Sequence, residues 1–185
     1  AIDSVHTLFK FPINFMNGLA TGATIMISGY FGPKDKNALH CAVRTALLLA
    51  GILGIICAVV GIIFSPWLLK IMSVPKEIHA EALIYCRIYM GGIWAMILYN
   101  MMAGVLRAFG DSKNPLYVLL VCSVVNIVAD LILVGFFHAG VGGAAAATVL
   151  SQIVSVVFTA YLLMKSDFLE ENIGIRTMGI CKEHM

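Results

Sequence analysis

Apolar runs separated by short polar breaks set the organisation of this chain. The runs cover residues 8–30, 42–64, 82–108, 116–137 and 142–164. Each is close to the roughly 20 residues a helix needs to cross a hydrocarbon core. The breaks FGPKDKN, SPWLLKIMSVPKE, FGDSKNP and FHAG carry turn chemistry. The pattern predicts an all-α fold, a polytopic membrane helix bundle of five spans within residues 1–165. Residues 166–185, SDFLEENIGIRTMGICKEHM, read as a polar linker.

Polar residues inside the runs fall on single faces. Asn14, Asn17, Thr21, Thr24 and Ser28 recur at spacings of three and four, which at about 100° per residue confines them to an arc of roughly 80°. Ser123, Asn126 and Asp130 share about 60° of the fourth helix, and Thr148, Ser151, Gln152, Ser155 and Thr159 share about 100° of the fifth. Lipid offers such groups no hydrogen-bond partner, so these faces turn toward the bundle interior or a wet cavity. For the serines and threonines, hydrogen bonding between helices is an equal explanation, worth under about 1 kcal/mol each. Asp130 is different, because a carboxylate at mid-span costs about 2.5–3.5 kcal/mol on insertion scales. Asn or Ser would bridge helices at lower cost. Gly18, Gly22, Gly51, Gly54, Gly91, Gly92 and the stretch GVGGAAAA read as close-packing surfaces.

Composition narrows the class. Of 185 residues, 61% are hydrophobic and 12% charged, and the mean hydropathy is +0.95. Those values lie outside the soluble globular range and within the membrane class. A net charge of +2, with no run of Lys or Arg to make a basic patch, is too mild to suggest a nucleic-acid partner, and none is expected. Cys41, Cys57, Cys86, Cys122 and Cys181 form no CxxC pair and read as small apolar residues. His6, His40, His79, His138 and His184 show no ligand spacing, so no metal site is expected from them.

Lys and Arg also orient the chain. Lys34, Lys36, Arg44, Arg107, Lys113, Lys165, Arg176 and Lys182 fall on one side, and Lys10, Lys70, Lys76 and Arg87 on the other. The richer side is expected to be cytoplasmic, with Ala1 outside and Met185 inside. A start from outside without a preceding span predicts that a first helix is missing and that the chain is a fragment. In the 107–115 turn, Gly110 suits a left-handed helix end, Asp111 or Ser112 suits a cap, and Pro115 suits the first turn of the next helix.

The segment YCRIYMGGIWAMILYNMMAGVLRAFGDSKNPLYVLLVCSVVNIVADLILV, followed by GVGGAAAATVLSQ, resembles the multidrug and toxic compound extrusion (MATE) family of secondary transporters. The shared features are Tyr85 with Arg87, Asn100, the LRAFGDSKNP turn, Asn126 with Asp130, and Ala147-Thr148 with Ser151-Gln152. GLATGATIMISGYFGPKDKNAL upstream is similar to the family's second helix and following loop. The resemblance implies helices two to six of a six-helix N-terminal lobe, with the first helix and the whole second lobe absent. It implies an antiporter, not an enzyme, exporting drugs or other organic compounds in exchange for H⁺ or Na⁺ across the plasma membrane. No cofactor beyond that coupling ion is implied. It further implies a cation-binding or proton-coupling site at Asp130, Asn126 and Thr148. Asn14, Asn17, Thr21, Thr24, Asn100, Ser123 and Gln152 are candidate cavity-lining residues. The donors are hard oxygens, suited to a small cation or a shared proton.

Two alternatives accompany that expectation. A lipid-linked precursor flippase of the same superfamily would line its cavity with cations for pyrophosphate, whereas this chain offers Asn, Thr, Ser and one Asp. An intramembrane aspartyl protease needs two carboxylates sharing a proton. Only Asp130 is deeply placed.

Overall fold

The computed structural model describes residues 18, 21, 22, 24–29 and 36–165. Among them are four helices long and apolar enough to cross a membrane. We number them α1 (Lys36–Ile71), α2 (His79–Ala108), α3 (Lys113–Asp130, continued by a π-helical turn, Leu131–Phe136) and α4 (Gly140–Lys165). The described residues of the first apolar run, 18, 21, 22 and 24–29, are helical as well. The rest of that run and the 166–185 segment lie outside the described residues.

One expected break is helix instead. SPWLLKI continues α1 to Ile71, so the run expected at 42–64 belongs to a 36-residue helix. At 1.5 Å per residue that helix is about 54 Å long, well beyond a hydrocarbon core of about 30 Å. Pro66 lacks the N–H that would bond the Ile62 carbonyl four residues back. The hydroxyl of fully buried Ser65 donates to that carbonyl at 2.8 Å. The lost backbone bond is replaced locally, and the helix continues. Beyond Ile71 the chain turns at Ser73, in the left-handed region at φ 52°, and the Val74 N–H returns to the Leu69 carbonyl.

The α2–α3 turn follows its residues. Gly110 takes φ +84° while the Asp111 N–H bonds the Leu106 carbonyl, closing α2. Asp111, rather than Ser112, caps α3 by accepting from the Asn114 N–H at 3.0 Å and from its side-chain amide. Pro115 lies in the first turn of α3, where a missing N–H costs nothing.

Helix order in space differs from order in sequence. α1 packs on α2, α2 on α4, and α4 on α3, while α2 and α3 scarcely touch. α4 therefore lies between α2 and α3. Glycines set two of these seams. A Cβ on Gly54 would stand 3.0 Å from the Trp94 Cα, and one on Gly61 2.8 Å from the Met90 sulfur, both across the α1–α2 seam. Across the α2–α4 seam, a Cβ on Gly92 would stand 2.4 Å from the Val149 Cγ2. Gly18, Gly22 and Gly51 have no such neighbour among the described residues, where close packing accounts for only part of the glycine pattern. The outer faces carry exposed Ile, Leu, Val and Phe, as lipid contact requires.

Candidate functional site

Because α4 spaces α2 and α3 apart, a groove opens between them with α4 as its floor. Its volume is about 390 Å³. Met96, Tyr99 and Asn100 line it from α2, Leu119, Cys122, Ser123 and Asn126 from α3, and Thr148, Ser151, Gln152 and Ser155 from α4. Each set is one helical stripe at spacings of three and four residues. Toward the 109–112 turn, Tyr99, Ala103, Val118 and Cys122 form an apolar cluster. The Tyr99 hydroxyl donates there to the Pro115 carbonyl at 3.2 Å, tying α2 to α3.

The lining presents oxygen acceptors. The Thr148 hydroxyl donates to the Ala144 carbonyl (3.0 Å), Ser151 to Thr148 (2.8 Å) and Ser155 to Gln152 (2.6 Å). A hydroxyl has one proton and two lone pairs, so each offers the groove lone pairs only. Asn100 donates one of its two amide N–H groups to the Met96 carbonyl at 2.9 Å, leaving its amide oxygen and the second N–H. The Gln152 Oε1 is buried and has no hydrogen-bond partner. No charged side chain lines the groove among the described residues. The surface is uncharged and rich in oxygen acceptors, beside the amide N–H groups of Asn100, Asn126 and Gln152, and suits a cation or a ligand that both donates and accepts hydrogen bonds.

Asp130 sits one turn beyond Asn126, as the last α-helical residue of α3. It does not line the groove. Its Oδ1 is buried without a hydrogen-bond partner, an arrangement that is unfavourable unless something else occupies the neighbouring space. The π turn starts at the next residue. There the Phe137 N–H reaches the Ile132 carbonyl and the Ala139 N–H reaches Leu133, wider loops than an α-helix makes. Such turns concentrate at functional positions. The chain then reverses through His138 (φ 52°) and Gly140 (φ 57°) into α4. Gly143 accommodates this corner, since a Cβ there would meet the Ala139 Cβ at 2.8 Å.

The ten expected site residues thus separate. Asn100, Ser123, Asn126, Thr148 and Gln152 come together in the groove, and Asp130 flanks it along α3. Thr21 is exposed and Thr24 half-buried, and neither lines the groove. Asn14 and Asn17 lie outside the described residues. Met96, Tyr99, Leu119, Cys122, Ser151 and Ser155 were not on the candidate list. The signal was present for all but Tyr99, because each of the other five stands three or four residues from an expected polar residue on its own helix, whereas Tyr99 is the immediate neighbour of Asn100.

Apolar helices that enclose a polar groove define a multi-pass membrane protein whose interior is wetter than its exterior. The sequence matches the MatE family model over residues 1–132. This chain belongs to that family, the MATE transporters. It is 34% identical over 181 residues to the probable multidrug resistance protein YoeA of Bacillus subtilis, covering 95% of this chain and 39% of that protein. Protein DETOXIFICATION 43 of Arabidopsis thaliana is 34% identical over 137 residues, covering 72% of this chain and 26% of the plant protein. Among solved structures, the outward-facing conformation of a multidrug resistance MATE family transporter of the MOP superfamily matches with a TM-score of 0.83 at 26% identity. That match covers 96% of this chain and 40% of the other. The inward-facing conformation of such a transporter matches with a TM-score of 0.79 at 29% identity, covering 88% and 38%. The chain thus spans about 40% of the transporter chains it matches.

Proposed function

We propose that this chain is part of a secondary active antiporter that exports organic compounds, often cationic, in exchange for H⁺ or Na⁺. The observation that carries the reading is the buried, unpartnered Oδ1 of Asp130, one turn from Asn126 and beside a groove lined with oxygen acceptors. A carboxylate held in the membrane interior without a partner supports a role in taking up an ion. Asn126 and Thr148 supply further oxygens, and the Thr148 hydroxyl already donates its hydrogen bond to the Ala144 carbonyl. When proton or Na⁺ occupies this region, it biases the conformation that binds it better. Transport follows if the exported compound favours the opposite conformation.

Two further observations support this reading. The groove offers no Lys or Arg among the described residues to neutralise a pyrophosphate, which favours organic cations over lipid-linked precursors. The chain also matches outward-facing and inward-facing relatives about equally well, in keeping with a lobe that moves largely as a rigid unit. On this reading the segment sits in the plasma membrane with its Arg107–Lys113 side cytoplasmic. The chain spans about 40% of the transporter chains it matches, and on this reading the remainder of such a transporter would complete the cavity.

The test is Asp130→Asn in the full-length protein, reconstituted in vesicles and assayed for dye efflux under an imposed proton or Na⁺ gradient. Efflux is expected to lose its response to both gradients, while insertion and thermal stability stay near the parent's. Efflux that still follows one gradient at the parent's rate would sink the assignment.

A further inference from the structure

Asp130 stands where α3 changes its winding, and the chain beyond it is tied to α4. The π turn, Leu131–Phe136, begins at the residue after Asp130. The Ala139 N–H donates to the Leu133 carbonyl at 2.9 Å, and the Gly143 N–H donates in turn to the Ala139 carbonyl at 3.1 Å. Two backbone bonds thus run from the first turn of α4, through the corner, into the π turn.

Gly143 is buried at this junction. A Cβ on it would stand 2.8 Å from the Ala139 Cβ and 3.4 Å from both the carbonyl carbon and the Cβ of Leu133. Carbon atoms pack at about 3.5–4.0 Å, so Ala139 would have to give way, and its N–H would pull on the Leu133 carbonyl. The start of α4 has little room to yield instead. Gly142 seats it on α2, where a Cβ would stand 3.3 Å from the Ile84 Cγ2, and Gly92 admits Val149 further along the same seam.

The winding of the turn bears on the direction of Asp130. A π turn closes over one more residue than an α turn, so converting one into the other rotates one flank by about 100° against the other. Because Ala139 and Gly143 hold the far flank, such a change would turn the flank that carries Asp130. The buried Oδ1 of Asp130 has no hydrogen bond to aim it, which leaves that task to the backbone. The same first turn of α4 also serves Thr148, whose hydroxyl donates to the carbonyl of Ala144, the residue after Gly143. One turn of backbone therefore bears on both Asp130 and Thr148.

We propose that Gly143 is a positioning residue for ion coupling. By admitting the Leu133–Ala139 corner it keeps the π turn wound and fixes Asp130 relative to Thr148. The inference rests on the reading of Asp130 as the residue that takes up the coupling ion. Gly143 acts through the corner and touches no ion itself.

The experiment follows dye efflux by the full-length protein in vesicles as the driving ion, H⁺ or Na⁺, is varied, with dye affinity measured separately. Losing a group that orients an ion ligand costs about 10–100-fold in ion affinity. Gly143→Ala is expected to raise the half-saturating ion concentration by about that factor at parental dye affinity. Adding Ala139→Gly removes the atom at 2.8 Å and should bring the value back near the parent's. Gly54→Ala creates similar crowding on the α1–α2 seam, 3.0 Å from the Trp94 Cα, and should lower thermal stability without moving the ion dependence. Gly135 is exposed and has no close neighbour among the described residues. Deleting it removes the residue that the π turn adds, so the ion response should weaken at least as far, and this variant decides the matter if Gly143→Ala does not fold. A parental ion dependence in Gly143→Ala or in the Gly135 deletion would overturn the proposal. So would a parallel loss of dye affinity, no recovery with Ala139→Gly, or an equal shift in Gly54→Ala. If Asp130→Asn abolishes the ion response while Gly143→Ala leaves it parental, only the positioning role fails. If Asp130→Asn leaves the response intact, the reading of Asp130 fails and this inference falls with it.

Discussion

Gly92→Ala isolates the contact that sets the width of the groove. Its Cβ would stand 2.4 Å from the Val149 Cγ2, 2.9 Å from Cγ1 and 3.1 Å from Cβ. Carbon atoms pack at about 3.5–4.0 Å, so α2 and α4 must separate by about 1.1–1.6 Å at this point. Val149 offers little escape, because a β-branched side chain in a helix holds one χ1 rotamer and all three of its carbons crowd the site. Overpacking of this kind costs about 1–3 kcal/mol, and the better helix propensity of Ala returns at most about 1 kcal/mol. The expected net loss is about 0–3 kcal/mol. It should be accompanied by a looser groove, since Gly92 lies one turn from Met96 and Val149 adjoins Thr148. The assay is thermal unfolding of the detergent-solubilised full-length protein, with substrate affinity measured in parallel. Val149→Ala removes the two closest atoms and should recover most of the loss in the double variant. A stable Gly92→Ala variant with parental substrate affinity would refute the reasoning. So would a double variant no better than the sum of its single changes.

The remaining predictions concern the two places where side chains replace backbone bonds. Ser65→Ala leaves the Ile62 carbonyl unpaired beside Pro66 and should lower stability by about 1–3 kcal/mol, measured by thermal unfolding. Adding Pro66→Ala restores an N–H donor and should return most of that loss; no recovery would remove the hydroxyl from this role. Asp111→Ala strips the cap from α3 and should cost about 0.5–2 kcal/mol, with Asp111→Asn losing less because it keeps an acceptor for the Asn114 N–H. Equal losses from both substitutions would point to charge rather than capping.

Much of this fold is legible along the chain because a bilayer interior leaves few choices. A run of about 20 apolar residues must be helical, since lipid satisfies no backbone group. The residues of the 109–115 turn specify its conformation for the same local reason, with Gly110 left-handed and Asp111 capping. The polar stripes were equally plain. The continuation of α1 past Pro66 was not, because proline ordinarily ends a helix and the rescue depends on one hydroxyl finding one carbonyl. The π turn after Asp130 was also hidden. It interrupts the 100° repeat on which the stripe argument rests, and its only trace is the tight corner at Gly143.

Class, the approximate positions of the spans and the polar faces of the first, fourth and fifth runs are properties of residue order, and the sequence alone determined them. Which faces meet was decided by tertiary packing. α4 lies between α2 and α3 because Gly92 admits Val149 there, and that placement gathers Asn100, Asn126 and Thr148 from three helices around one groove. The same packing leaves Asp130 beside the groove, with one buried oxygen still unpartnered. Periodicity gives the direction of a side chain about its own helix axis, but no sequence spacing encodes the distance between two axes. That distance follows from how closely side chains on separate helices interlock.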